Sequence, residues 1–192
     1  LFKKGTTPVQ NAAATSLLQE LNLALIPGSI TFEPSTTPDE VLASLAYLQS
    51  LNGFSIYRFA RGVIPREGTA LFHQYESEGC LVKTGYDYSI CCKDARVQAL
   101  FERLQYLAHL AYNFEKKNHE RVSEQFSITQ IPDRMKGSLR ELEADLKRVV
   151  LTLAADCTTR LLSGDSDDPA QAPRAFAWLD GVFDERLKGL GV

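Results

Sequence analysis

His73, His109 and His119 are the whole supply of imidazole in this chain, and no two of them stand at metalloprotease or zinc-site spacing. The sequence also has no Gly-rich phosphate loop and no nucleophile elbow, so the usual hydrolase, nucleotide-binding and metalloenzyme readings lose their residues. Cys80, Cys91, Cys92 and Cys157 include no C-x-x-C pair. They read as reduced, mostly buried thiols of a reducing intracellular compartment, the cytoplasm first, with a cross-strand Cys80 to Cys91 bridge as the alternative. No cofactor and no metal is implied.

Binding chemistry has more candidates. In residues 54–60, read as a strand, alternation puts Arg58 on the side of Phe54 and Ile56, with Tyr57 and Phe59 on the other. If that first face is core, the guanidinium needs a carboxylate or an anionic ligand; if it is a strand end, Arg58 snorkels to water. His73, Tyr75, Tyr86 and Tyr88 gather aromatic and polar groups on neighbouring predicted strands. Arg58, His73 and Tyr88 are therefore the candidate ligand-binding residues of a pocket between sheet and central helices. Sheet surfaces are rich in tyrosine anyway, which is the competing explanation. Trp178, the one tryptophan, falls beside a stripe of Phe176, Leu179, Val182 and Phe183. Trp178 and Phe183 are the candidate partner-binding residues, and a widened buried stripe is the alternative.

Arg103 and His109 stand at R-x5-H spacing, which resembles the ribonuclease motif of HEPN-type helical domains. That resemblance implies an all-helical nuclease site with its Arg and His at these two positions. It covers one helix and two residues, and Leu104 replaces the polar residue that usually follows the Arg. Six residues also make about 600° of helix rotation, leaving the side chains ~120° apart.

The elements that must position these residues start with two capping boxes. Thr7-Pro8-Val9-Gln10 and Thr37-Pro38-Asp39-Glu40 each put a Thr cap before Pro, with a side-chain acceptor three residues on. Val9, Ala13, Leu17, Leu21 and Leu25 stripe the first helix; Val41, Leu45, Leu48 and Leu51 stripe the second, closed by Asn52-Gly53. Residues 6–22 and 36–52 match at Thr-Thr-Pro, Ala, Leu-Gln and Leu-Asn, through duplication or through convergence of two capped helices. Ser29, Ile30, Thr31 and Phe32 suggest a short strand. Residues 54–60 and 71–76 read as strands and 80–92 as a hairpin around Thr84-Gly85, with Tyr86, Tyr88 and Ile90 facing one way. Residues 61–68 read as a loop.

Two long helical patterns follow, 94–126 and 133–163, the second with Met135, Leu139, Leu142, Leu146, Val149 and Leu153 at alternating spacings of four and three. The first is apolar nearly all round between Leu104 and Phe114, so it should be a pillar, with Leu107 deeper than Leu142 and a wet outer face on the second. The run from Glu115 to Arg121, with His119, Lys116 and Lys117, should stand in water. Fold class is thus α+β in a single domain: a helix and sheet half (1–92), a helical hairpin (93–163), an acidic flexible connector (164–173) and a terminal amphipathic helix (174–192).

Net charge is −3 over 192 residues, 44% hydrophobic and 23% charged. That balance excludes wholesale disorder and a global basic field, so nucleic acid is not an expected partner. Apolar runs stop short of the ~20 residues that cross a bilayer, so neither is a membrane. A targeting segment is not readable in a chain that begins at Leu1. The expected function is a non-catalytic interaction or assembly subunit, a scaffold, adaptor or chaperone-like protein, with another protein chain or a second copy as partner. A small-ligand sensor or carrier is the alternative, and an enzyme such as a HEPN-like ribonuclease comes last.

Overall fold

The computed structural model of the chain describes residues 7–21, 30–50, 59–125, 133–165, 168 and 170–189. Its elements in chain order are α1 (Pro8–Glu20), α2 (Pro38–Ser50), α3 (Ala70–Ser77), β1 (Leu81–Thr84), β2 (Asp87–Ile90), α4 (Ala95–Gln125), α5 (Asp133–Ser163) and α6 (Gln171–Gly189). The class is α+β, with one antiparallel two-stranded sheet among the described residues.

Local chemistry explains most of the starts. In both capping boxes the cap N–H donates to the side chain three residues on, Thr7 to Gln10 Oε1 at 2.8 Å and Thr37 to Glu40 Oε2 at 2.8 Å. The return bonds, from the Gln10 and Glu40 amides to the two Thr hydroxyls, are both 3.3 Å. Asp94 starts α4 by accepting the Arg96 amide at 2.8 Å. The Arg96 guanidinium and amide hold the Asp94 pKa down to about 2. In the hairpin, Thr84 pairs with Asp87 across Gly85-Tyr86, and Gly85 has φ +65°, as a tight primed turn requires.

Residues 71–76 are helix rather than strand, which corrects the sequence reading. Thr69 caps α3 by accepting the Phe72 amide at 3.2 Å, and Phe72 and Tyr75 bury one face three residues apart. Gly79, at φ +66°, ends it: its N–H donates to Glu76 O at 3.0 Å and that of Cys80 to Tyr75 O at 2.8 Å. These are the paired bonds of a Schellman cap. The proposed strand at 54–60 lies mostly outside the described residues; Phe59 and Ala60 are buried in a bend. Phe32 forms one parallel bridge with Gly62, inside what is otherwise the expected loop.

The three long helices form a bundle, with α4 and α6 parallel and α5 antiparallel to both. Lys117 meets Asp180 at 2.8 Å and Arg121 meets Asp184 at 2.5 Å, so partner numbers rise together. Between α5 and α6 they run oppositely: Gln171 reaches Asp156 at 3.2 Å and Arg186 reaches Asp145 at 2.8 Å. The charged end of α4 is therefore docked on α6 along one side, while Lys116, His119 and Glu120 are exposed as expected. Asn118 within it is buried, its amide bonded to Phe114 O.

Helix α5 also packs against α2, so it touches three helices. Its buried set widens accordingly beyond Leu142 and Leu146 to Val150, Leu151, Ala154, Cys157 and Thr158. Leu107 and Leu142 are equally deep, 5% and 4% exposed, and the expected burial order fails because α5, not α4, is the central helix. On α4, by contrast, Gln105, Tyr106, His109, Tyr112 and Asn113 are exposed, so the helix is not covered all round. One continuous core joins this bundle to the hairpin half, where the Phe32 and Phe101 rings lie 4.5 Å apart. A Cβ on Gly62 would come within 2.8 Å of Phe101 Cζ, so only glycine fits there without displacement.

Candidate functional site

The structure scatters the proposed tyrosine pocket. Tyr75 is core, its phenol 3.5 Å from Glu33 Oε2, and burial first, then the Glu33 charge, push its pKa up to about 12. Tyr86 is fully exposed at the hairpin tip. Tyr88 is half-buried and sets its ring edge-on to Phe72 at 4.9 Å, while Lys83 Nζ lies 5.9 Å from its centroid. Burial, then a hydrogen bond to Glu67, raises the Tyr88 pKa.

His73 is exposed on α3, 3.5 Å from Glu76, and its ring meets the other neighbour of that cluster, Phe72, at 5.8 Å. His73 and Tyr88 thus each touch the Phe72 ring. Between the hairpin and α4, the expected place of a cavity, Phe32, Ile90 and Phe101 fill the space against Gly62. Arg58 lies outside the described residues. Among the described residues these side chains line no common pocket: Tyr75 is core, Tyr88 is half-buried, and His73 and Tyr86 are exposed.

On α6, Trp178 is 55% exposed and its neighbours Arg174, Ala177, Gly181 and Glu185 are exposed with it. Phe183 is in the core, with the Arg121 guanidinium 5.2 Å from its ring. It anchors α6 to α4 and offers no surface, which corrects its assignment as a contact residue.

No family model matches the chain, and no curated protein or solved structure is similar to it. Function must be argued from the geometry alone.

Arg103 and His109 do not converge. Arg103 lies against the Tyr106 ring at 5.5 Å and donates to Asp168 O at 3.4 Å, in the crevice where α6 begins. His109 is on the exposed side of α4, its Nε2 3.0 Å from Asn113 Nδ2. The crevice, lined by Arg103, Tyr106, Leu153, Cys157 and Gln171 among others, encloses about 20 Å³, room for about one water and not for a substrate. Among the described residues no cluster of His, Cys, Asp or Glu could hold a metal, and no helix is long and apolar enough to cross a membrane.

The apolar stripe of α1 does not face the core: Val9, Leu17 and Leu21 are 78%, 55% and 59% exposed. A signal was present, since α1 has Asn11 and Thr15 where the matching positions of α2 have Val41 and Leu45. Thr15 is turned back on its own helix, donating to Asn11 O at 2.9 Å.

Proposed function

We propose that the protein works without catalysis, as an interaction or assembly subunit that presents helical surfaces to another protein chain. The observation that carries this reading is the unpartnered apolar face of α1, Val9, Leu17 and Leu21, on a helix with reciprocal caps. Large apolar side chains held together in water on an ordered helix are the usual raw material of helix recognition. Trp178 supplies a second, separate anchor on α6. The interior supports the same reading, since neither the hairpin junction nor the α4 to α6 crevice leaves room for a small-molecule ligand.

Photo-crosslinking tests it. A benzophenone amino acid placed at Leu17 or at Trp178 should yield discrete adducts with another chain in cell extract, and the same probe at exposed Gln105 should not. Identical adduct patterns at all three positions would reduce both faces to ordinary surface.

A further inference from the structure

The β1 and β2 ladder runs one step beyond its named strands. Leu81 pairs with Ile90, so Cys80 lies directly opposite Cys91, and the Cys91 N–H donates to Cys80 O at 3.0 Å. Only this one bond joins them, since the Cys80 N–H donates to Tyr75 O, but residues facing each other across an antiparallel ladder have Cα atoms about 4.5–5.5 Å apart, within the ~4.4–6.8 Å that a disulfide spans. The two side chains also influence each other. Burial raises the Cys80 pKa, the Cys91 side chain adds to that by charge and by a hydrogen bond, and the Lys93 ammonium pulls it the other way. Both sulfurs otherwise make only long contacts, Cys80 Sγ to Glu78 O at 3.5 Å and Cys91 Sγ to Gly79 O at 3.6 Å.

We propose that Cys80 and Cys91 are a redox pair that closes to an intramolecular disulfide by exchange with a low-molecular-weight disulfide, covalently locking the base of the hairpin. The division of labour follows from access. Cys91 is half-buried and reachable, whereas Cys80 is buried and serves as the resolving thiol. The Cys91 thiolate attacks one sulfur of the small disulfide, whose S–S bond breaks and releases one small thiolate, which takes up a proton. The Cys80 thiolate then attacks the Cys91 sulfur, breaks the mixed disulfide and releases the second small thiol. The protein gives up two electrons and two protons, and the small disulfide gains both.

Cys92 is excluded by its position. As the next residue along the chain it turns to the other side, buried, with Sγ 3.9 Å from Glu33 O. Burial and the neighbouring Cys91 charge push its pKa up to about 11. The lock would reinforce an ionic one across the same junction, Lys93 to Glu78 at 3.0 Å, where α3 hands over to β1 and β2 leads into α4.

The experiment uses the full chain, reduced and then incubated with oxidised glutathione, followed by alkylation of remaining thiols and trypsin digestion. Cleavage after Lys83 separates Cys80 from Cys91. The expected product links peptides 67–83 and 84–93, with Cys92 and Cys157 alkylated. Its thermal midpoint exceeds that of the reduced protein and returns on adding dithiothreitol. Cys92→Ser should keep the link and Cys91→Ser should abolish it. A link through Cys92, a glutathione adduct on Cys91 that never resolves, or four alkylated cysteines would each overturn the proposal. Should Cys91→Ser fail to fold, fragment ions that assign the wild-type link to residue 91 or 92 decide the matter alone.

Discussion

Helices α1 and α2 begin with the same chemistry and end in opposite environments. Their capping boxes agree in donor and distance, with the Gln10 amide oxygen accepting in one and the Glu40 carboxylate in the other, yet α2 buries Val41, Leu45 and Leu48 while α1 leaves Val9, Leu17 and Leu21 in water. Caps therefore decide where a helix starts and say nothing about what it packs on. The deciding positions are two: Asn11 and Thr15 of α1 stand where α2 has Val41 and Leu45, so the face that docks α2 is polar in α1.

The sharpest test truncates one leucine on each helix. Leu45→Ala should cost about 2–5 kcal/mol of unfolding free energy, because it empties a fully buried site, whereas Leu17→Ala should stay within ~0.5 kcal/mol. Equal losses in urea titration would erase the contrast. Gly62→Ala leaves both helices untouched and strikes the core that α2 shares: with its new Cβ 2.8 Å from the Phe101 ring it should cost about 1–3 kcal/mol. Phe101→Leu in the same chain should recover part of that loss.

Removing the caps gives a smaller difference. Thr37→Ala should lower global stability by about 1 kcal/mol, while Thr7→Ala should fray α1 alone, seen as faster amide exchange at its first turn with an unchanged global midpoint. Alkali should act on the α2 side only and least of all near neutrality. Tyr75 bonds Glu33, whose amide is held by Thr36 at the turn into α2. Its folded pKa of about 12 exceeds the ordinary value of 10.0, so its contribution is complete below pH 10 and is lost as pH rises toward 12. Absorbance at alkaline pH should show one phenol titrating last, together with loss of α2 protection before any change at α1.

What could be read in the sequence was what neighbouring residues settle among themselves. Thr7 with Gln10, Thr37 with Glu40, and Gly85 in its turn are contacts three residues apart or fewer, and all stand where expected. Helix α3 failed because six aromatic-rich residues carry too little periodicity to separate strand from helix; only the Gly79 stop betrayed it. Long-range matters were not legible. Lys117 and Arg121 read as a solvated run until Asp180 and Asp184, one turn apart on α6, are brought against them. The alternating four-three seam of α5 implies one partner, whereas a helix with three neighbours buries Val150, Ala154 and Thr158 as well. His73 and Tyr88 each meet Phe72, a contact that depends on how α3 sits against the hairpin and that neither residue's own neighbours reveal.

The parallel alignment of α4 and α6 also sets the order in which a nascent chain can become safe. When the ribosome has delivered α4 and α5, Phe114 still lacks Phe176, and Lys117 and Arg121 still lack their carboxylates. An α4–α5 hairpin formed before α6 would carry an open apolar groove rimmed by cations until α6 had emerged. Slow synthesis through residues 164–184 would lengthen the interval in which this intermediate is open to chaperones or to aggregation.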